Sequence, residues 1–481
     1  MQMVTKRRRT GSDEKADPIR RTMAKVADVV EEPSEAALAK PAAREAATGS
    51  PPAGRTTLAD ARAHGPFGLL QVLGPGLITG ASDDDPSGIG TYSQAGSQFG
   101  LATLWLALFT FPLMVAVQEC CARIALQTGL GLGTLLRRKF PTWLVGICIL
   151  ALFVANTINV GADIGAVAAG GNLLSRGHVP AIWLVVPVTL LIGAMQLRLH
   201  YALIFRIFKL LTLALFAYII TAIIAHPSLL SMVQATVIPT IQFNKAFLGI
   251  VVAILGTTIS PYLFFWQASS EVEEMKAAGA KTEKERRGVT RKELKAARTD
   301  VAIGMLFSQL VMYAIILTSG SVIHAAGNTN VQSAAQAAEA LRPVAGPFAF
   351  ILFSVGIIGT GLLAIPVLTG CAAYAVKEFL GIRGSLADRP LYRPTFYGII
   401  CLAMLGGLAM NFLGIDPIKA LVVTAIINGI VAPPILVLIA LLARDREVMG
   451  EQRSGPWSNG LVWAATVVMG VAAAALLATL F

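Results

Sequence analysis

Three consecutive carboxylates, Asp83, Asp84 and Asp85, interrupt an otherwise apolar stretch and are followed by Pro86. Proline has no amide hydrogen, and the Ser-Gly pair after it is poor in helices, so a helix should break here. Carboxylates inside a membrane are costly unless they face water or hold a cation. The pattern predicts a cation site with Asp85 as the first ligand, Asp84 as the second, and Asp83 facing a vestibule. The alternative is that one or two of these side chains cap a half-helix or pair with a basic residue.

A second polar interruption, ILGTTISPYLFFWQ, occupies residues 254–267 of another apolar stretch. With Ser87, its side chains offer hydroxyl oxygens beside the carbonyls of a broken helix. This oxygen-only set suits hard cations such as Mg²⁺, Ca²⁺ or Mn²⁺. Neither interruption contains Met, Cys or His, so a soft-metal site is not favoured. The hydroxyl candidates are Thr257, Thr258 and Ser260.

The elements that must position these residues are membrane helices. The chain has 481 residues, is 55% hydrophobic, has a mean hydropathy of +0.67 and carries a net charge of +11. Such apolarity predicts a multi-span membrane protein in contact with the lipid bilayer. Basic residues collect in cytoplasmic loops, so the positive charge does not indicate nucleic-acid binding. The five cysteines make no CxxC pair and the five histidines make no HExxH, so no zinc site and no cofactor are predicted.

Two inverted repeats are predicted from the positions of the interruptions. They fall in the first and sixth apolar segments, and an odd repeat of five inverts the topology of the second copy. This pattern is typical of an all-α transporter with broken first and sixth helices and a site at the midplane. The repeats would cover about residues 68–225 and 246–442. The eleven segments lie near residues 68–92, 100–127, 142–173, 180–196, 202–225, 246–269, 300–322, 345–376, 394–413, 417–442 and 458–480.

The chain ends differ from this core. Residues 1–64 are polar, Ala/Pro-rich and highly charged, without the apolar centre of a signal peptide, which predicts a disordered cytoplasmic tail. The transporter core should occupy residues 65–445, and residues 446–481 a linker and the eleventh helix. Because basic residues alternate between sides, the N-terminus should be cytoplasmic and the C-terminus extracytoplasmic in a cell inner (plasma) membrane.

The stretches GPGLITGASDDDPSGIGTYSQAG (74–96) and GTTISPYLFFWQAS (256–269), with the eleven-segment plan, resemble the Nramp divalent-metal transporters. More closely, they resemble the Nramp-related magnesium transporters of prokaryotes, over roughly residues 65–445. Typical Nramps bind metal through the Asp and Asn of Asp-Pro-Gly-Asn, where this chain has Asp85 and Gly88. The family's Ala-x-x-Met-Pro-His has Thr257, Ser260 and Tyr262 at its Ala, Met and His positions.

The resemblance implies a wider and harder site than that of a typical Nramp, since the family's thioether and amide are absent. It implies alternating access with Mg²⁺ as a largely hydrated cargo, Mn²⁺ as a second cargo, and little or no proton coupling. In the third segment, Val160 and Asp163 stand at the family's Asp and Glu positions, leaving Asp163 and the tyrosine as a possible gating or residual proton path. In the tenth segment, Ala425 replaces a frequent Gln, and Asn428 would supply an amide oxygen instead. Thr258 completes the predicted ligand set.

Two alternatives remain open at this point. The first is a proton-coupled Mn²⁺/Fe²⁺ importer of the Nramp type, which would need a soft ligand at Ser260 and an acid–base relay. The second is an intramembrane aspartyl protease using Asp85 and Asp163. It is disfavoured because no Gly-x-Gly-Asp sequence occurs in the chain, and we expect a transporter rather than an enzyme.

Overall fold

The computed structural model describes residues 74–198, 216–224, 228–331 and 333–479. Within these ranges all regular secondary structure is helical, and eight helices are long and apolar enough to cross a membrane. Three further predicted segments correspond to a broken helix at 75–99, a shorter apolar helix at 181–198 and a helix at 216–224. The predicted all-α membrane fold is therefore confirmed. The predicted tail, residues 1–64, lies outside the described residues, and the division into repeats stays a prediction.

The α-helices are numbered along the chain. A π-helical turn, Ser319–His324, follows the helix Arg291–Thr318, and short 3₁₀ turns occur at Glu339–Leu341, Gly346–Phe348, Pro390–Tyr392, Asn411–Leu413 and Gly450–Gln452. The α-helices are α1 Pro75–Asp83, α2 Pro86–Phe99, α3 Trp105–Thr128, α4 Leu132–Lys139, α5 Thr142–Leu174, α6 Ala181–Arg198, α7 Phe216–Ile224, α8 Leu229–Val237, α9 Lys245–Thr258, α10 Pro261–Ala277, α11 Glu283–Arg286, α12 Arg291–Thr318, α13 Ala334–Ala338, α14 Arg342–Ala345, α15 Ala349–Leu380, α16 Pro394–Met410, α17 Pro417–Leu442, α18 Arg446–Met449 and α19 Pro456–Ala478.

Both predicted helix breaks are present. After α1, Asp84 leaves the helical region with φ −84° and ψ 48°, and Asp85 is extended with φ −68° and ψ 171°. After α9, Ile259 has φ −116° and ψ 55°, and Ser260 is extended with φ −73° and ψ 132°. In each case a proline is the first residue of the following helix, where its missing amide costs nothing. The breaks therefore follow from local sequence.

Glycines bring the broken helices into main-chain contact with their neighbours. A Cβ added at Gly80 of α1 would lie 2.2 Å from the carbonyl oxygen of Gly304 on α12. A Cβ added at Gly256 of α9 would lie 2.0 Å from the carbonyl oxygen of Ala425 on α17. No larger residue fits at such distances, so these two glycines set how closely α1 and α9 approach the helices that support them.

The basic loops meet on one face of the helical bundle. Arg138 at the end of α4 pairs with Glu283 of α11 at 3.0 Å, and this hydrogen bond lowers the pKa of the Glu283 carboxyl. Lys139 pairs with Asp445 at 2.7 Å and likewise lowers the pKa of that carboxyl. The buried side chain of Arg286 donates through Nε to the carbonyl of Gly129, which follows α3, at 3.0 Å. The loops that contain Arg138, Glu283 and Asp445 thus contact one another.

Candidate metal site

Asp85 lies in the first break and is held through both carboxylate oxygens. Its Oδ1 accepts from the Ser87 hydroxyl at 2.5 Å and from the Gly88 amide at 2.8 Å, which caps α2. Its Oδ2 accepts from Asn159 Nδ2 of α5 at 3.0 Å. One oxygen of Asp85 therefore caps α2, as the alternative interpretation predicted, and the other oxygen faces α5.

Asp83 and Asp84 lie on a different side of the break, against α12. The hydroxyl of Ser308 donates to Asp83 Oδ2 at 2.5 Å and lies 3.4 Å from Asp84 Oδ1. Both side chains are fully buried, although Asp83 was predicted to face a vestibule. The second oxygen of each has no hydrogen-bond partner in the part of the chain that the structure describes. Sequence analysis missed Ser308, which stands beside Gln309 in the apolar part of α12.

The second break contributes three buried hydroxyl groups that bond to their own helix. Thr257 and Thr258 both donate to the carbonyl of Ile254, at 2.9 and 2.8 Å. Ser260 lies 2.6 Å from the carbonyls of Gly256 and of Thr257. Since the hydroxyl hydrogens are used within the helix, only oxygen lone pairs remain for a ligand.

Tyr262 connects the two breaks. It lies in the first turn of α10, and its hydroxyl donates to the carbonyl of Ser82 in the last turn of α1 at 3.0 Å. The ring is buried. Tyr262 therefore satisfies one of the carbonyls that a helix end leaves unpaired, and in this arrangement it ties α1 to α10.

Helix α5 faces the first break with two polar side chains. Asp163 lies near the Asp85 carboxylate and the amide of Ser87, and neither of its oxygens has a hydrogen-bond partner among the described residues. Asn159, one helical turn earlier on the same face, holds Asp85 directly. Sequence analysis missed Asn159. The signal was its spacing of four residues from Asp163. Val160, at the family's Asp position, is buried and apolar.

Asn428 of α17 stands beside the second break. Its neighbour Gly429 packs so closely that an added Cβ would lie 2.5 Å from the Val252 carbonyl of α9. The Asn428 amide is buried, and neither its oxygen nor its nitrogen has a hydrogen-bond partner within the described ranges. At Gly88, an added Cβ would meet the Tyr92 ring at 3.1 Å and the Asp83 carbonyl at 3.4 Å. Gly88 therefore brings no side-chain ligand, and a larger residue there would require the Tyr92 ring to shift by a few tenths of an ångström.

These groups form a buried, oxygen-rich cluster that is closed to solvent. Unpaired polar atoms in such a place cost free energy, and a cation with its water would satisfy several of them. No three His, Cys, Asp or Glu side chains among the described residues are arranged to hold a metal ion. The side chains present offer carboxylate, amide and hydroxyl oxygens, and the two breaks offer main-chain carbonyls. The unpaired carboxylate and amide oxygens are Asp83 Oδ1, Asp84 Oδ2, both of Asp163, Asn159 Oδ1 and Asn428 Oδ1.

Comparison with known proteins agrees with this architecture. The family model described as "Natural resistance-associated macrophage protein-like" (Nramp) matches residues 76–479. The chain is 26% identical over 406 residues to the divalent metal cation transporter MntH of Klebsiella pneumoniae, covering 83% of this chain and 92% of that protein. It is 27% identical over 403 residues to MntH of Deinococcus radiodurans, covering 83% and 87%.

Solved structures share the fold. A manganese transporter from Eremococcus coleocola superposes with a TM-score of 0.65 at 18% identity, covering 84% of this chain and 86% of that chain. A transporter of the nucleobase-cation-symport-1 family in a closed conformation superposes with a TM-score of 0.51 at 16% identity, covering 85% and 91%.

Proposed function

Because the chain belongs to the Nramp family of membrane transporters, and is not an enzyme, we propose that it carries divalent metal cations by alternating access. The proposed cargo is Mg²⁺ as a largely hydrated ion, with Mn²⁺ as a second cargo. The observation that carries this proposal is the chemistry of the two breaks: the polar side chains that belong to them offer oxygen atoms, and those of Asp84, Asp85 and Ser260 are buried.

An oxygen-only site favours a hard ion over a soft one. Mg²⁺ prefers carboxylate, carbonyl and water ligands and gives up its water reluctantly. The proposed direct or water-mediated ligands therefore come from both breaks and from the tenth segment. They are Asp84, Asp85, Thr257, Thr258, Ser260 and Asn428, with Gly88 leaving its position without a side-chain ligand.

Weak or absent proton coupling is proposed from the groups around the site. The Tyr262 hydroxyl is engaged with the Ser82 carbonyl at 3.0 Å, and a tyrosine is a poor proton acceptor near neutral pH. Val160 is apolar. Inward movement of a divalent cation gains about 4.6 kcal/mol per 100 mV of membrane potential, twice the value for a single charge. That gain is sufficient to drive uptake without a proton.

The second candidate is a proton-coupled Mn²⁺ importer. The relatives named above are a divalent metal cation transporter and a manganese transporter. Asp163 favours this candidate, because it is a buried acid near Asp85 and its oxygens have no hydrogen-bond partner among the described residues. A carboxyl in that position can take up and release a proton.

The same proposal includes the orientation in a plasma membrane. The contacts among Arg138, Glu283, Lys139 and Asp445 gather the basic loops on one face. By the positive-inside rule this face is cytoplasmic, which puts the N-terminus inside and the C-terminus outside.

Uptake into proteoliposomes tests the proposal. Mg²⁺ entry would be read with an enclosed dye in parallel with internal pH, at a fixed membrane potential, and then repeated with Mn²⁺. We expect Mg²⁺ and Mn²⁺ to enter without acidification. Mn²⁺ entry with acidification and no Mg²⁺ entry would establish the second candidate instead. If a well-folded protein transports neither Mg²⁺ nor Mn²⁺, both candidates are refuted.

A further inference from the structure

Asn159 contacts Asp85 from a helix outside both breaks. The Asn159 side chain is fully buried, and its Nδ2 donates to Asp85 Oδ2 at 3.0 Å. The opposite carboxylate oxygen is held within α2, by the Ser87 hydroxyl at 2.5 Å and the Gly88 amide at 2.8 Å. The carboxylate is therefore fixed from two directions, by its own helix and by α5.

Of the two polar atoms in the Asn159 amide, only the nitrogen has a hydrogen-bond partner among the described residues. Its Oδ1 has no hydrogen-bond partner among the residues that the structure describes, and an unpaired buried carbonyl costs free energy. Asp163, one turn further along the same face of α5, is also near Asp85. The unpaired oxygen therefore belongs to a face of α5 that already contacts the Asp85 carboxylate.

We propose that Asn159 is a positioning residue for the transported cation. Its Nδ2 keeps the Asp85 carboxylate oriented while the site is empty, and its Oδ1 accepts a hydrogen bond from water on the bound ion. Each carboxylate oxygen has two lone pairs, so the bond from Asn159 leaves Asp85 Oδ2 able to contact the ion. A ligand held in place before binding loses less freedom when the ion arrives. The inference rests on the proposed divalent-cation function and adds a residue to that site.

Asn156 provides a matched control on the same helix. It is also fully buried, its Nδ2 donates to the Leu368 carbonyl at 3.1 Å, and its Oδ1 has no partner within the described part of the chain. It differs from Asn159 in contacting α15 rather than Asp85. Asn156→Leu and Asn159→Leu thus remove the same amide from the same helix, and only Asn159→Leu removes a hydrogen bond to Asp85.

The test measures initial rates of Mn²⁺ uptake against Mn²⁺ concentration in proteoliposomes. A hydrogen bond to a charged group is strong enough that Asn159→Leu should raise the apparent KM about tenfold or more, with Vmax within about threefold of wild type. Asn156→Leu should leave KM within about twofold, even if it lowers the unfolding temperature as much. Should Asn159→Leu fail to fold, Asn159→Ser, which is smaller and too short to reach Asp85, should give the same rise in KM.

The outcomes separate the inference from the function on which it rests. If wild type transports Mn²⁺ and the Asn159 variants keep its KM, the positioning role is refuted. An equal rise in KM for Asn156→Leu would also refute it, because the effect would then be a general loss of packing. If wild type transports neither Mn²⁺ nor Mg²⁺, the proposed function itself fails.

Discussion

Replacing Gly256 with alanine should disturb both the stability of the fold and transport. The glycine lies in the last turn of α9, two residues before the helix ends at Thr258. A Cβ at this position would lie 2.0 Å from the carbonyl oxygen of Ala425 and 2.5 Å from the amide nitrogen of Gly429. Both atoms belong to the main chain of α17. Neither can move by a change of rotamer, so one helix must move away from the other.

The size of the effect follows from these distances. The contact of 2.0 Å must open beyond 3.0 Å, so α9 and α17 must separate by about 1 Å at this level. Overpacking of this kind costs about 1–3 kcal/mol, whereas alanine gains about 1 kcal/mol over glycine within a helix. The net effect should be a loss of up to about 2 kcal/mol in the free energy of unfolding. The movement also displaces the hydroxyls of Thr257 and Thr258 from the site.

Gly249→Ala is the matched control, since Gly249 lies on the same helix two turns earlier. The nearest atom to its added Cβ is Leu476 Cδ1 at 3.9 Å, an ordinary contact. This variant should unfold at the wild-type temperature or slightly above. The assay is thermal unfolding in detergent, combined with Mn²⁺ uptake by the same preparations. If Gly256→Ala is as stable and as active as Gly249→Ala, the main-chain contact does not determine the position of α9.

Three other variants test the site itself. Asp85→Asn keeps a capping oxygen but removes the charge, and it should abolish divalent uptake while the protein still folds; normal uptake would remove Asp85 from the site. Ser260→Met combined with Gly88→Asn should shift the ratio of Mn²⁺ to Mg²⁺ uptake toward Mn²⁺, and an unchanged ratio would contradict the account of selectivity. Tyr262→Phe removes the hydrogen bond to the Ser82 carbonyl and should lower the free energy of unfolding by about 0.5–1.5 kcal/mol, with no change in internal acidification. Altered acidification would instead assign the tyrosine to a proton path.

The breaks could be predicted from sequence because their causes are local. Pro86 and Pro261 each lack an amide hydrogen and disfavour a helical conformation in the residue before them, so a helix ends there. The residue types of the site could be predicted from sequence in the same way. Their hydrogen bonds could not. Ser260 was predicted as a ligand, and the structure shows that its hydroxyl contacts the carbonyls of Gly256 and Thr257.

The partners of the aspartates could not be predicted, because they depend on how separate helices pack. Asn156 and Asn159 look equivalent in sequence, both being amides in one apolar helix. The register of α5 against the first break decides that Asn159 meets Asp85 and that Asn156 meets the Leu368 carbonyl. Ser308 presents the same problem on α12. The sequence of one helix does not show which of its polar side chains meets a neighbouring helix.

The contact between α1 and α12 has a kinetic consequence. Gly76 and Gly80 face Gly304 main chain to main chain, and Asp300 accepts hydrogen bonds from the amides of Gly74 and Gly76 at 2.9 and 2.7 Å. Where these glycines meet, no side chain stands between the two main chains. Parting α1 from α12 requires that water reach this backbone, the Asp300 carboxylate and Asp83, which accepts a hydrogen bond from Ser308 of α12. The speed at which α1 leaves α12 would then depend on wetting of a helix surface, and it should respond to water activity more than to side-chain bulk.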